Sequence, residues 1–122
     1  MSPAVLFLLV ALAGGVGAGL RWLADVLLSR LLPSGFPWAI LVVNTTGSFA
    51  LGLITGAALG TEWLAVLGTG LLGGYTTFST VAVDTQVLAG EGRGGAAWAD
   101  ALGTLALAVA AALAGLALGA SG

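Results

Sequence analysis

The 122 residues are 59% hydrophobic and only 7% charged, whereas an ordinary soluble domain carries roughly 25% charged residues, so a water-exposed globule is excluded and an integral membrane protein follows. With no histidine or cysteine and with all three basic residues arginine, thiol or imidazole metal sites, Cys or His nucleophiles, disulfides and lysine-based catalysis are excluded as well. A net charge of −2 without any basic run argues against nucleic acid as a partner and leaves membrane lipid.

A bilayer-crossing helix takes about 20 mostly apolar residues, and four such spans are predicted within a single membrane domain over residues 1–122. The first covers about residues 3–28 and holds Arg21 and Asp25 in its second half. A cleaved signal peptide competes for this stretch, with 6–12 as its apolar region and Val16-Gly17-Ala18 as its cleavage site. No positive residue precedes the run, however, and apolar character resumes beyond Arg21. The second span covers 38–60 without a charge, and the third covers 63–88, uncharged until Asp84. The fourth covers 98–119 with Asp100 near its start and Thr104 as its only hydroxyl. Connections are short, at 29–37, 61–62 and 89–97.

Trp22, Trp38, Trp63 and Trp98 all fall at predicted span ends, where an aromatic belt meets the headgroups. Arg30 and Arg93 lie in the first and third loops, which share one side, so the positive-inside rule places both termini outside. Two arginines are a slight bias, and such a chain could also insert both ways. Glycines recur four apart at Gly15/Gly19, Gly52/Gly56, Gly56/Gly60, Gly70/Gly74 and Gly115/Gly119, the spacing that lets helices approach closely in lipid.

The third span departs from regular helix between Gly70 and Thr80. Adjacent Gly73 and Gly74 are followed by Tyr75-Thr76-Thr77-Phe78-Ser79-Thr80, in which only Phe78 lacks a hydroxyl. Glycine costs about 1 kcal/mol relative to alanine in a helix and threonine is also unfavourable. Irregular backbone at mid-bilayer survives only inside protein or along a wet cavity, and broken helices in transporters place carbonyls and helix ends around ions. A glycine-rich packing kink with back-bonded hydroxyls is the plainer alternative.

The only asparagine, Asn44, lies on the second span. At about 100° per residue, Ser48 and Thr55 fall within about 40° of it, giving one polar stripe. Interhelical hydrogen bonding explains such a stripe as well as an ion path does. Together with the third span, the inventory is rich in neutral donors. These suit a small hydrated anion that must both enter and leave, because a fixed cation would hold it too firmly. The edge of the Phe78 ring carries positive quadrupole charge and adds a donor of another kind. Arg21 could attract anions at a vestibule, although pairing with Asp25 or reaching to the interface fits it better. These residues alone lead to an oligomeric four-helix ion pathway, with channel or transporter, anion or cation, still open.

Three segments resemble the CrcB/Fluc fluoride channels: Gly14-Gly15-Val16-Gly17-Ala18-Gly19-Leu20-Arg21, Val43-Asn44-Thr45-Thr46-Gly47-Ser48-Phe49 with Gly52, and Gly73-Gly74-Tyr75-Thr76-Thr77-Phe78-Ser79-Thr80. The length and the four-span layout match too. The resemblance implies an all-α integral membrane fold with the third helix broken near its middle, and an antiparallel dual-topology dimer in the bacterial inner membrane. It implies two fluoride pathways, passive fluoride export, and a structural sodium ion held by backbone carbonyls, here those of Gly73 and Thr76. It makes Asn44 the pore amide, Phe78 the first pore phenylalanine, and Ser79 and Thr80 a hydroxyl track. One position departs: the family pattern continues with a second phenylalanine where this chain has Val81, three residues from Phe78 on one helix face. Either the chain conducts as a homodimer with a reduced aromatic box, or a paralogous partner of opposite orientation supplies the missing ring; Val81 inclines the choice toward the latter. The competing class is a small proton-coupled multidrug-type exporter, which needs a carboxylate deep in a helix. Asp25, Asp84 and Asp100 are the candidates, and all lie toward span ends.

Overall fold

The computed structural model describes residues 1–121. Four helical stretches are long and apolar enough to cross a membrane: Pro3–Leu31, Trp38–Gly56, Thr61–Gly90 and Gly94–Ser121. The chain is a multi-pass, all-helical membrane protein. Only 6% of the most apolar window of the first stretch is buried within the chain, and Phe7, Leu12 and Leu31 project outward. Such surfaces are stable against lipid or another chain, not against water.

Helix α1 (Pro3–Leu31) starts on Ser2, whose Oγ accepts the Val5 N–H at 3.2 Å, with Pro3 at the first helical position. It runs one turn past residue 28, because Ser29, Arg30 and Leu31 tolerate helix and the first breaker is Pro33. Helix α2 (Trp38–Gly56) is shorter than the apolar stretch that contains it. Ala58 adopts a left-handed conformation (φ 56°) that turns the chain at 57–60. Thr61 and Glu62, expected in the loop, instead open the next helix, where an acidic residue suits the first turn.

The third span is built from four pieces. Helix α3 (Thr61–Leu64) passes into a π-helical segment (Ala65–Leu72), then helix α4 (Gly73–Tyr75), and after a non-helical gap at 76–78 helix α5 (Ser79–Gly90) resumes. The irregularity expected from Gly70 onward thus begins five residues earlier, as a wide π turn of the kind that often marks functional sites. Gly92 (φ 77°) reverses the chain into helix α6 (Gly94–Ser121).

Two close crossings hold these pieces. A Cβ at Gly17 would collide with the Leu71 carbonyl and come within 2.9 Å of Tyr75 N, and one at Gly74 would collide with the Gly14 carbonyl. Likewise a Cβ at Gly52 would strike the Ala112 carbonyl, and one at Gly115 the Phe49 carbonyl. In both crossings the touching residues advance together along the chain, so α1 runs parallel to the third span and α2 parallel to α6. Gly15 and Gly19 meet nothing within 4 Å inside this chain. The face of α1 turned to the third span carries Val10, Gly14 and Gly17 instead, positions three and four apart. On the side of the first and third loops, the Arg93 guanidinium donates to the Gly35 carbonyl. On the opposite side the amino terminus lies 3.5 Å from Glu62.

Candidate ion pathway at the broken helix

Thr76 is extended (φ −81°, ψ 158°), and this single residue ends α4. A gap in a helix strands backbone donors and acceptors, and lipid offers them no partners. Asn44 supplies what is missing. Its Nδ2 donates to the Thr77 carbonyl at 2.9 Å, and its Oδ1 accepts the Thr77 N–H at 2.8 Å. The carboxamide therefore pairs with Thr77 as one peptide group pairs with another, and both residues are buried. One N–H of the Asn44 amide remains beyond this pair.

Thr77 also starts the helix that follows. Its Oγ1 accepts the Thr80 N–H at 3.1 Å, an N-cap bond placed one residue ahead of the nominal cap, Phe78. The same hydroxyl donates to Thr80 Oγ1 at 3.1 Å and lies 3.3 Å from Ser79 Oγ. Ser79, Thr80 and Thr77 thus form one connected hydroxyl cluster. The gap leaves the carbonyls of Gly73, Gly74, Tyr75 and Thr76 without a donor four residues on, and for two of them the diverted donor is visible. The N–H four residues beyond Gly73 belongs to Thr77 and goes to Asn44; the N–H four residues beyond Thr76 belongs to Thr80 and goes to the Thr77 side chain. The carbonyls of Gly73 and Thr76 are left without their helical donors.

Beside the gap opens a cavity of about 310 Å³. Asn44, Ser48, Thr77, Phe78 and Val81 line one side of it, and Thr104 of α6 lines the other. Among the described residues no charged side chain borders it. The Thr104 hydroxyl is buried and has no protein hydrogen-bond partner. Phe78 is 85% exposed, so its ring stands off the chain at the mouth of the cavity, while Val81 is buried. The two share a cavity but not an environment, because Phe78 precedes the regular part of α5. A second cavity of about 340 Å³ lies toward the first loop, bordered by Asp25, Ser29, Trp38, Thr80 and Asp84. Since Thr77 lines the first cavity and Thr80 the second, the bond between their hydroxyls stands between the two spaces.

Of the residues singled out in the sequence, Asn44, Ser48, Phe78, Ser79 and Thr80 gather at this break, along with the backbone of Gly73 and Thr76. Two do not join them. Thr55 back-bonds to the Leu51 carbonyl at 2.7 Å near the end of α2. Arg21 borders neither cavity, and among the described residues it forms no ion pair with Asp25, whose Oδ1 takes the Ser29 hydroxyl at 3.3 Å. Thr77 is the residue that sequence reasoning passed over. A threonine three residues before a helical donor is a capping signal, and here it was hidden among neighbours of the same kind.

A helical membrane protein with a broken span, neutral donors around the break and stranded carbonyls is the architecture of an ion-conducting protein. Residues 8–116 match the family model described as "CrcB-like protein, Camphor Resistance (CrcB)". The chain is 46% identical to "Fluoride-specific ion channel FluC 1" of Leifsonia xyli subsp. xyli, over 98% of this chain and 89% of that one. It is 42% identical to "Fluoride-specific ion channel FluC" of Rhodospirillum centenum, over 93% and 94% of the two chains. With "Fluoride-specific ion channel FluC 2" of Nitrobacter hamburgensis it shares 38% over 92% and 94%. This chain belongs to the CrcB family.

Proposed function

We propose that the chain is a subunit of a fluoride-selective channel that lets fluoride leave a bacterial cell passively, and that it acts as a channel and not as an enzyme. The observation that carries this is the Asn44–Thr77 pair in a cavity bordered by neutral donors and an exposed ring. Fluoride is small and strongly hydrated, so a path must replace its water shell without trapping it. The spare N–H of Asn44, the hydroxyls of Ser48, Thr77 and Thr104, and the edge of Phe78 are donors of that strength. The bond between Thr77 and Thr80 carries the donor series on to Ser79 and Thr80. Arg21 acts through its field from outside these cavities.

The stranded carbonyls of Gly73 and Thr76 fit a monovalent cation, because neutral oxygen dipoles suit a hard ion of low charge. Sodium held there would tie down the gap. Two chains of opposite orientation complete the assembly, since Phe78 stands off its own chain and needs a surface to meet. With Val81 in place of a second ring, a paralogous partner is favoured over a second copy. Efflux from vesicles holding this chain alone, and from vesicles holding it with a paralogous partner, read with a fluoride electrode and chloride as control, tests the proposal. Fluoride-selective flux supports the channel. Flux that requires a proton gradient and the carboxylates Asp25, Asp84 or Asp100 overturns it in favour of an exporter.

A further inference from the structure

Asp100 is 2% exposed within a membrane-crossing helix, and its Oδ2 accepts the Thr85 hydroxyl at 2.9 Å. Among the described residues this is the one side-chain hydrogen bond that joins α5 to α6. A buried carboxyl is costly in lipid, and mere adhesion between these helices would be served by leucine. Its position suggests its use. Thr85 lies one helical turn beyond Val81 on α5, and Asp100 one turn before Thr104 on α6. Val81 and Thr104 border the cavity that holds Asn44 and Phe78. Ala101, adjacent to Asp100, borders that cavity and also a separate notch of about 280 Å³ lined by Thr85, Ala89, Ala97 and Trp98. The bond therefore stands in the wall between the two spaces, among alanines too small to close it alone.

We propose that Thr85 and Asp100 are positioning residues that pin α5 to α6, fix the spacing of the donors around the ion cavity and so favour fluoride over larger halides. The proposal rests on the fluoride-channel assignment above. A hydrogen bond holds two helices at one separation and one register, whereas alanine contacts let them slide. Without the pin, the wall carrying Val81 and Thr104 yields. Fluoride then loses its close fit to the surrounding donors, and its advantage over chloride shrinks.

The test is paired fluoride and chloride efflux from vesicles containing the full chain, with the partner chain added if conduction needs it. Thr85→Val alone leaves a buried carboxyl unpartnered, which can prevent folding. The double variant Thr85→Val/Asp100→Leu removes both polar groups. In Asp100→Leu alone, the Thr85 hydroxyl can back-bond to the carbonyl of residue 81. Each folded variant is expected to lower the fluoride-to-chloride flux ratio about tenfold, equivalent to ~1.4 kcal/mol. Thr85→Ser, which keeps the hydroxyl, is expected to retain the wild-type ratio. If either leucine variant elutes as a folded assembly and keeps the wild-type ratio, the pin is refuted while the channel assignment stands. A change in melting temperature with no change in ratio refutes it equally. Absence of wild-type fluoride flux refutes the channel assignment and the pin's role with it.

Discussion

Replacing Asn44 by alanine removes both hydrogen bonds that close the gap in the third span. Two estimates of the cost differ enough to be told apart. Side-chain hydrogen bonds between membrane helices average about 0.6 kcal/mol each, which gives about 1.2 kcal/mol for the pair. The Thr77 N–H and carbonyl, however, belong to backbone at a break, buried and without a helical partner. Leaving each unsatisfied costs about 1–3 kcal/mol, so the sum is about 2–6 kcal/mol. The larger range is expected, because Asn44 is 6% exposed and Thr77 is 8% exposed, and water does not replace the lost amide. Unfolding of the purified protein in detergent, followed by tryptophan fluorescence, measures the stability loss. The same preparation in vesicles is expected to lose fluoride efflux. Asn44→Asp keeps an acceptor for the Thr77 N–H but sets a carboxylate oxygen against the Thr77 carbonyl, so it is expected to fail as well. An alanine variant within about 1 kcal/mol of wild type that still conducts would sink the clamp.

Phe78→Ala is expected to leave folding unchanged within about 0.5 kcal/mol, as for an exposed side chain, while efflux falls, so paired stability and flux measurements separate pathway from packing. Val81→Phe enlarges a buried side chain, which ordinarily costs about 1–3 kcal/mol. Here the residue borders a cavity of about 310 Å³, so the variant is expected to fold and to raise the flux of the chain reconstituted alone. Gly74→Ala drives a methyl into the Gly14 carbonyl, whereas Gly15→Ala meets open space. The first is expected to cut folded yield on size exclusion; in a preparation of single chains the second is expected to leave it unchanged. Exchanging sodium for N-methylglucamine is expected to lower the melting temperature, since a ligand of the folded state stabilises it by mass action. An identical melt in both salts would remove sodium from the Gly73 and Thr76 carbonyls.

What the sequence made legible follows from which interactions are local. Four spans were readable because hydropathy over about 20 residues is a sum, insensitive to any one position. Their ends were less so. Ala58 in a left-handed turn carries no compositional mark, and Thr61-Glu62 reads as a polar loop until its helix dipole contact is counted. The break was visible at Gly73-Gly74 because glycine and threonine oppose helix where leucine would favour it. The π turn ahead of it was not, since Ala65-Val66-Leu67 carries no helix breaker and Gly70 reads equally as half of the Gly70/Gly74 packing pair. Glycine spacing pointed to close crossings in general, but Gly15/Gly19 and Gly14/Gly17 differ only in which face of α1 turns inward. That is a tertiary fact.

The pairing of Asn44 with Thr77 spans 33 positions in the chain, and no periodicity connects them. Sequence reasoning could set Asn44 on a polar stripe and Thr77 in a break, yet it could not show that one closes the other. This changes how the asparagine acts. An amide whose oxygen and one N–H are both engaged with backbone cannot turn freely toward a passing ion; it offers one fixed donor at one fixed place. Held dipoles cost no reorganisation when charge arrives, which is how a neutral site can compensate an anion for lost water. The clamp that mends the helix is also what aims the donor. Fold and pathway therefore depend on the same two bonds, and variants at Asn44 should lose stability and conduction together, whereas variants at Phe78 should separate them.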